Sequence, residues 1–503
     1  MYQDSKILIG MSGEEKVYIY PKMANRHGLI AGATGTGKTV TLKVMAESFS
    51  ACGVPVFLAD VKGDLAGMCN MGTMNKNVQE RVEAMSLDKL GFALDKYPTT
   101  YWDVYAEKGL PLRTTITEMG PLLLSRILGL NNTQTDIMSI LFKVADDNDL
   151  LLIDTKDLRA MLQYVGENAK ELSLQYGNMS KQSLAAIIRA VVALESEGGD
   201  KFFGEPALNI ADWFCTDCDG KGAIQVLDCQ KLINNPTMYS TFLLWMMSEL
   251  FETLPEAGDR DKPKMVFFFD EAHMLFDNAS KALLDKIAQV VKLIRSKGVG
   301  IYFITQNPRD IPDEVLAQLG NKVEHALHAY TPAEQKAAKA VSMSFRENPD
   351  FDTYETLLNL GIGEALVSVL DEKGVPTIVK KTTILPPQSQ MGPITDAERD
   401  SQIKGNLLYT RYHDFYDRDS AYEFLQRRTA DVAKTAQAQK EAAAKKKQTN
   451  KLAKNVARTA GGTIGREIGN TIGKSIGGKF GKKLGGNVGA TLGRGILSTL
   501  FKF

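Results

Sequence analysis

The chain has 503 residues, 44% of them hydrophobic and 24% charged, an ordinary composition for a soluble protein of two to four domains or one domain enlarged by insertions. No uninterrupted stretch of 18 apolar residues occurs, so no transmembrane helix is predicted. The net charge of zero conceals a split: residues 427–503 carry 17 Lys and Arg against 3 Asp and Glu, or +14, which leaves −14 on the rest. A basic tail predicts an anionic partner, with a solvated extension as the alternative.

The number of cysteines is an indication of the cellular compartment. Five Cys in this length, and no signal-peptide pattern in Met1–Gly10, predict a cytoplasmic protein, while the basic tail leaves a peripheral membrane contact open. Cys215 and Cys218 form a C-x-x-C pair, but no second pair follows at zinc-site spacing. We therefore predict no zinc or redox site.

The first elements in chain order are two short strands within residues 6–20 and a buried strand from His27 to Ala31. Helical spacing follows from Val40 to Phe49. The segment between reads G-x-x-x-x-G-K-T, which in this strand–helix context predicts a phosphate-binding P-loop. The predicted nucleotide contacts are Gly32, Ala33, Thr34, Gly35, Thr36, Gly37, Lys38, Thr39 and Val40.

Each residue type in this loop has a physical reason. The glycines let the backbone turn sharply and aim its N–H groups at phosphate oxygens, and the following helix directs its positive N-terminus at the same anion. Lys38 supplies a mobile charge for the β- and γ-phosphates, and the Thr39 hydroxyl can ligate Mg²⁺. We therefore predict ATP and Mg²⁺ as cofactors.

The next core strand, Val54–Asp60, completes a first part of the ATPase core in residues 1–75. Asp60 and Asp64 follow its carboxyl end, where ligands bind in α/β sheets, so they could tune the metal or make polar loop contacts. Residues 76–221 are predicted to be a mainly helical insertion, with one strand at Leu112–Thr117. Its apolar spacing predicts helices at Leu122–Leu130, Gln134–Ala145, Thr155–Tyr164 and Lys181–Glu195.

Residues 222–385 are predicted to resume the core. The strands are predicted at Ala223–Asp228, Met265–Phe269, Gly300–Thr305, Val323–Tyr330, Glu364–Leu370 and, as a hairpin-like run, Pro376–Leu385. Helices separate the first four, which predicts an α/β fold with a mainly parallel sheet covered on both faces. Residues 386–428 are predicted to be a linker and a helical segment, and residues 429–503 a basic tail.

Met265–Phe269 is followed by two carboxylates, as expected of a Walker B strand. Asp270 would hold Mg²⁺ through water, and Glu271 would polarise the water that attacks the γ-phosphate. A buried strand with an acidic end is the alternative interpretation. Gln306, at the end of the next strand, is the candidate sensor of the γ-phosphate, or a strand-end amide with a structural hydrogen bond. Arg295 and Arg309 are the candidate arginine fingers, although most arginines are surface charges.

Four motifs together resemble the HerA-like branch of the HerA/FtsK P-loop ATPases: Gly32–Thr39, Asp60–Asp64, Phe268–His273 and Thr305–Pro308. The resemblance implies a RecA-like motor that uses ATP with Mg²⁺, forms a homo-hexameric ring and moves DNA through its central hole. HerA itself carries a β-barrel before its P-loop, whereas only 31 residues precede Gly32 here. The partner contact made by that barrel, and any nuclease partner, are therefore not identified.

The tail begins with an Ala/Lys/Gln-rich stretch, 429–460, that predicts a basic solvated helix. Glycine then recurs every fourth residue from Gly461 to Gly493, and nine glycines at about 1 kcal/mol each disfavour an isolated helix. Small-x-x-x-small spacing suits close helix packing, especially in lipid. Disorder, membrane-surface contact or self-association, and nucleic-acid binding all remain open.

The sequence thus favours an ATP-driven DNA translocase or helicase. The alternative is a membrane-associated ATPase of the secretion or conjugation type that acts on protein or nucleoprotein. A nucleotide-gated assembly factor with little turnover is a third interpretation, and the presence of Glu271 argues against it.

Overall fold

The computed structural model describes residues 1–258, 260–276 and 281–452, and a mixed β-sheet lies at its centre. The strands are β1 (Tyr2–Gln3), β2 (Lys6–Ser12), β3 (Glu15–Ile19), β4 (Gly28–Ala31), β5 (Val56–Asp60), β6 (Thr99–Asp103), β7 (Leu110–Pro111), β8 (Ile224–Asp228), β9 (Met265–Phe269), β10 (Val299–Thr305), β11 (Asn321–His325), β12 (Glu364–Ser368) and β13 (Lys380–Ile384).

The α-helices of the described residues lie between and after these strands. They are α1 (Lys38–Ala51), α2 (Lys76–Ala84), α3 (Ile116–Ile127), α4 (Asn132–Asp147), α5 (Thr155–Glu167), α6 (Ala169–Tyr176), α7 (Lys181–Leu194), α8 (Asp200–Phe202), α9 (Pro236–Thr253), α10 (His273–Phe276), α11 (Lys281–Leu293), α12 (Asp313–Leu316), α13 (Pro332–Ser342), α14 (Thr353–Leu358), α15 (Asp396–Gly405), α16 (Tyr409–Tyr412) and α17 (Ala421–Leu452).

The strand order is β1-β2-β13-β12-β11-β4-β10-β9-β5-β8-β6-β7, with β3 paired to β2. All pairings from β11 to β7 are parallel, and those that join β1, β2, β3, β13, β12 and β11 are antiparallel. The predicted fold class, α/β with a mainly parallel central sheet, is confirmed. Because parallel strands point their carboxyl ends to one edge, the loops after β4, β9 and β10 lie at the same edge.

The central strands are buried on both faces, as their unbroken apolar sequences predict. Aromatic rings fill much of one face: the Phe57 ring centroid lies 5.0 Å from that of Trp213 and 5.2 Å from that of Phe267. These contacts hold β5 and β9 in the register that places Ala59 opposite Phe269. The carboxyl ends of both strands are thereby fixed side by side.

The segment 76–221 contributes two strands as well as helices. β6 pairs with β8, and β7 pairs with β6, so both extend the central sheet. The predicted strand at Leu112–Thr117 is wrong, because α3 begins within it. The Thr115 hydroxyl accepts the Glu118 N–H and the Glu118 carboxylate accepts the Thr115 N–H, a capping box that starts a helix there.

The chain forms two compact units. The first comprises Met1–Thr135, Ile153–Thr155 and Ala185–Asp417 and contains the whole sheet. In it, the stretch after Pro387 is fastened to α1, since the Glu47 carboxylate accepts hydrogen bonds from the backbone N–H groups of Gln388 (2.8 Å) and Ser389 (3.0 Å).

The second unit comprises Asp136–Leu152, Lys156–Leu184 and the chain from Arg418. Within it, the Asp157 carboxylate accepts the Ser420 hydroxyl and the Tyr422 N–H at the start of α17. α17 is described to Leu452, and the glycine repeat, with the predictions made for it, lies outside the described residues. No helix among residues 1–258, 260–276 and 281–452 combines the length and apolar character needed to cross a membrane.

Candidate nucleotide-binding site

The P-loop connects the end of β4 at Ala31 to the start of α1 at Lys38. Gly32 and Gly37 have φ values of +144° and +117°, a region that side chains rarely adopt. A Cβ on Gly32 would also lie 2.5 Å from the Cβ of His325. Both the backbone conformation and the available space therefore require glycine at the base of the loop.

His325, on β11, forms the floor of this loop and was not found from the sequence. Its Nε2 lies 2.8 Å from the Thr41 hydroxyl of α1, and its Nδ1 lies 2.9 Å from the Glu364 carbonyl oxygen of β12. Burial lowers the pKa of His325 to about 4, so the ring is neutral at pH 7. The histidine joins the P-loop helix to two strands without adding charge below the phosphate site.

Lys38 places its ammonium inside the loop, where it donates to the carbonyl oxygens of Gly32 (2.7 Å) and Ala33 (2.9 Å). Burial lowers the pKa of Lys38, and the carboxylates of Glu271 and Asp270 act in the opposite direction, which shows that the acidic pair lies within its electrostatic reach. The Ala33 N–H is already bonded to the Ala326 carbonyl oxygen at 2.8 Å. Among the predicted nucleotide-contacting amides, this one is therefore occupied within the protein.

Asp270 and Glu271 directly follow β9, which is separated from β4 only by β10. Asp270 is 4% exposed, and burial raises its pKa to about 6. A carboxylate that burial makes costly to ionise is stabilised by a nearby cation, so Asp270 and the Thr39 hydroxyl are the residues that would hold Mg²⁺. The described residues contain no cluster of three or more His, Cys, Asp or Glu that could hold a metal by itself.

Glu271 is held in a defined position by Lys62 and Gln306, and the His273 ring lies nearby without a hydrogen bond to it. Lys62 Nζ lies 2.7 Å from Oε1, Gln306 Nε2 lies 3.3 Å from Oε2, and His273 Nδ1 lies 3.5 Å from Oε2. Burial alone would raise the pKa of Glu271, but the hydrogen bond and charge of Lys62, together with the hydrogen bond from Gln306 and the charge of His273, hold this pKa below its usual range. The backbone of Glu271 has φ +48°, which turns the chain sharply after β9.

Gln306 connects this carboxylate to the P-loop. Its Oε1 accepts the Thr34 hydroxyl at 3.1 Å, while its Nε2 faces Glu271. One amide thus contacts both a hydroxyl of the P-loop and the carboxylate that follows β9. The sequence indicated Gln306 from its position at a strand end, and the structure brings it to Thr34 and Glu271.

Lys62 was missed, although it lies within the Asp60–Asp64 motif. The Asp60 carboxylate accepts the N–H groups of Gly63 (2.7 Å) and Leu65 (3.1 Å), so it shapes the loop that carries Lys62. Burial raises the pKa of Asp60 to about 7. The polar loop contacts that the sequence analysis gave as one interpretation of Asp60 are thus present. Lys62, a basic residue between the two aspartates of the motif, was the feature of the sequence that could have been recognised.

The two candidate arginines lie at different edges of the sheet. Arg309 follows Gln306 closely, on the exposed turn after β10, at the edge of the P-loop. Arg295 precedes β10 and so lies at the opposite edge, where its carbonyl oxygen accepts the Asn25 side chain. Of these two arginines, Arg309 is the one that shares the edge of the phosphate site.

A P-loop with a strand-end Asp-Glu pair and a neighbouring strand-end Gln defines a P-loop NTPase of the RecA-like type. The chain belongs to the Helicase HerA-like C-terminal family, which it matches over residues 6–502. The resemblance stated from the four motifs is thereby confirmed.

Two curated relatives are described as helicases. The chain is 21% identical over 382 residues to the DNA double-strand break repair helicase HerA of Sulfolobus acidocaldarius, covering 74% of this chain and 68% of that protein. It is 30% identical over 167 residues to Probable helicase MJECL08 of Methanocaldococcus jannaschii, covering 31% and 30%.

Two solved structures are similar at low sequence identity. The plasmid coupling protein TrwB in complex with a non-hydrolysable GTP analogue has a TM-score of 0.49 at 14% identity, covering 77% of this chain and 90% of that one. VirB4 of Thermoanaerobacter pseudethanolicus has a TM-score of 0.47 at 17% identity, covering 76% and 97%.

Proposed function

We propose that this protein is a Mg²⁺-dependent ATP-hydrolysing motor that assembles as a hexameric ring and translocates or unwinds DNA. The observation that carries the hydrolytic part is the contact chain Thr34–Gln306–Glu271, which joins the P-loop to a deprotonated carboxylate. A protein that only bound nucleotide would have no need of a carboxylate held in this position. The DNA assignment is supported by family membership and by the DNA repair helicase among the relatives, and the ring assignment follows from the resemblance to the HerA/FtsK ATPases.

The reaction assigned to this site is in-line attack of water on the γ-phosphate. Glu271 accepts the proton of the attacking water, and the Gln306 amide orients that water or contacts a γ-phosphate oxygen. On nucleotide binding, Lys38 would move from its carbonyl partners to the β- and γ-phosphates, and Thr39 and Asp270 would hold Mg²⁺. The metal neutralises developing charge on the phosphate oxygens when it is bound.

In a ring, a neighbouring subunit could supply an arginine to the phosphate site. Arg309 is exposed on the turn after β10, at the edge of the phosphate site, so it is the candidate for a site formed with a neighbouring subunit. A positive charge delivered from a neighbour would stabilise the transition state and couple hydrolysis around the ring.

The alternative is a membrane-associated ATPase of the secretion or conjugation type that moves protein or nucleoprotein. It is favoured by the glycine-patterned basic tail, whose spacing suits close helix packing in lipid. Its localisation would be peripheral to a membrane instead of purely cytoplasmic.

Steady-state ATP hydrolysis with and without DNA distinguishes the DNA motor from the membrane-associated ATPase. A DNA motor should be stimulated by single- or double-stranded DNA at low salt, and the stimulation should fall steeply as salt rises, because phosphate contacts release counterions. An unchanged rate with both DNA forms, together with stimulation by anionic vesicles, would favour the membrane-associated function. Electron micrographs with an ATP analogue should show six-fold particles, and monomers alone would contradict the ring.

A further inference from the structure

The topology indicates where the nucleoside half of a bound nucleotide lies. β10 and β9, which carry Gln306 and Glu271, lie on one side of β4, whereas β11 and β12 lie on the other. A triphosphate on the P-loop with its γ-phosphate towards Glu271 must extend its nucleoside towards β11 and β12. Because β12 runs antiparallel to β11, its first residue, Glu364, lies at the same edge as the P-loop.

The turn before β12, Gly361–Gly363, is attached directly to the P-loop. The Gly363 N–H donates to the Thr36 carbonyl oxygen at 2.9 Å, and a Cβ on Gly37 would lie 3.2 Å from the Gly363 Cα. The Gly361 N–H donates to the Glu364 carboxylate at 2.8 Å. The turn is therefore held at both ends beside the loop that would bind the phosphates.

Arg81 of α2 holds the outer side of this turn. Its guanidinium donates to the carbonyl oxygens of Ile362 (2.7 Å), Gly363 (3.3 Å) and Ile384 (2.8 Å). Gly363 has φ +75°, and a Cβ there would lie 2.2 Å from the Arg81 Nη2, so only glycine fits. A rigid guanidinium fork that bonds three backbone carbonyls positions a turn accurately.

Ile362, between these fixed points, has a side chain that is 78% exposed. This isoleucine lies at the centre of a turn that the four hydrogen bonds to Thr36, Glu364 and Arg81 already hold in place, so its exposed apolar surface is not needed to stabilise the turn. Aliphatic side chains commonly form one wall of nucleotide-base sites, since the flat faces of a base are apolar.

We propose that the Gly361–Gly363 turn is the base platform of the nucleotide site, with Ile362 packed on one face of a purine. This inference deepens the proposed function and rests on it, because it assumes that a nucleotide occupies the P-loop. Arg81 is a positioning residue that holds the platform. A face contact reads neither the amino group of adenine nor the carbonyl of guanine, so Ile362 sets affinity for purine nucleotides without discriminating between ADP and GDP.

The test compares a nucleotide with a base-free phosphate ligand, using the full chain. Calorimetric titration with MgADP should show about tenfold weaker binding for Ile362→Asn than for the parent, the scale of one aliphatic side chain removed from a contact. Pyrophosphate with Mg²⁺ should bind both proteins within twofold. Ile378→Asn, at a second partly exposed isoleucine between β12 and β13, should leave MgADP affinity unchanged.

The outcomes separate the two proposals. A parent protein that binds neither MgADP nor pyrophosphate would overturn the proposed function together with the platform. Normal MgADP binding by Ile362→Asn, with loss of binding in Lys38→Ala, would overturn the platform alone. Light scattering on the same samples provides another check: an oligomer altered by Ile362→Asn at unchanged MgADP affinity would assign the isoleucine to a subunit contact and refute the base platform.

Discussion

Replacing Lys62 by methionine removes the cation that holds the Glu271 carboxylate and keeps an unbranched side chain of similar length. In the structure, Lys62 Nζ lies 2.7 Å from Glu271 Oε1, one of the two carboxylate oxygens that can accept a proton from water. The ammonium lowers the pKa of Glu271, so Glu271 is a weaker base while this contact persists. We therefore expect Lys62 to restrain hydrolysis.

The size of this restraint follows from the exposure of the two partners. The Glu271 side chain is 7% exposed, but that of Lys62 is 46% exposed, so solvent screens the lysine end of the pair. Such a half-exposed pair is worth about 1 kcal/mol, nearer to the range of surface ion pairs than to that of buried ones. If that energy is lost before proton transfer, its removal accelerates hydrolysis about fivefold.

The assay is steady-state ATP hydrolysis at saturating MgATP without DNA. Lys62→Met should raise kcat about fivefold with little change in MgADP affinity, whereas Lys62→Arg, which keeps the charge, should remain close to the parent. A fall of kcat in Lys62→Met to the level of Glu271→Gln would refute the reasoning, because it would show that the lysine assists the reaction.

Three further predictions concern the site and the core. Glu271→Gln should keep nucleotide binding and lower kcat by about 10²–10⁴-fold, the usual contribution of a general base; equal hydrolysis by variant and parent in a phosphate-release assay would contradict the role of Glu271. Burial raises the pKa of Glu324 to about 8, so the folded state holds its proton and the free energy of unfolding should fall as pH rises from about 4.5 to about 8. Glu324→Gln should remove this pH-dependent loss in the free energy of unfolding, which is on the order of a few kcal/mol. Denaturant titrations should therefore show that the variant is more stable than the parent at pH 9 but not at pH 5. Trp213→Ala, which removes a fully buried ring stacked on Phe57, should cost about 3–5 kcal/mol in urea unfolding, and a loss below 1 kcal/mol would show that the aromatic layer is not needed.

Predictions from the sequence succeeded where short-range patterns are decisive. The apolar run Met265–Phe269 forms β9 with the predicted bounds. The strand at Leu112–Thr117 was wrong because a capping box at Thr115 outweighs its β-branched residues. β6 was not predicted, since Thr99–Asp103 is short and gains its stability from pairing with β8.

The sequence by itself determined the P-loop, the acidic pair after β9 and the family, because each depends on neighbouring residues whose spacing carries the chemistry. Only the tertiary structure showed that Lys62 holds Glu271, that His325 lies under the P-loop, and that Arg81 reaches Gly363, 282 positions away. Such contacts depend on which strands become neighbours in the sheet. Because the energy of strand pairing is spread over the whole core, the strand order cannot be predicted from any short stretch of the sequence.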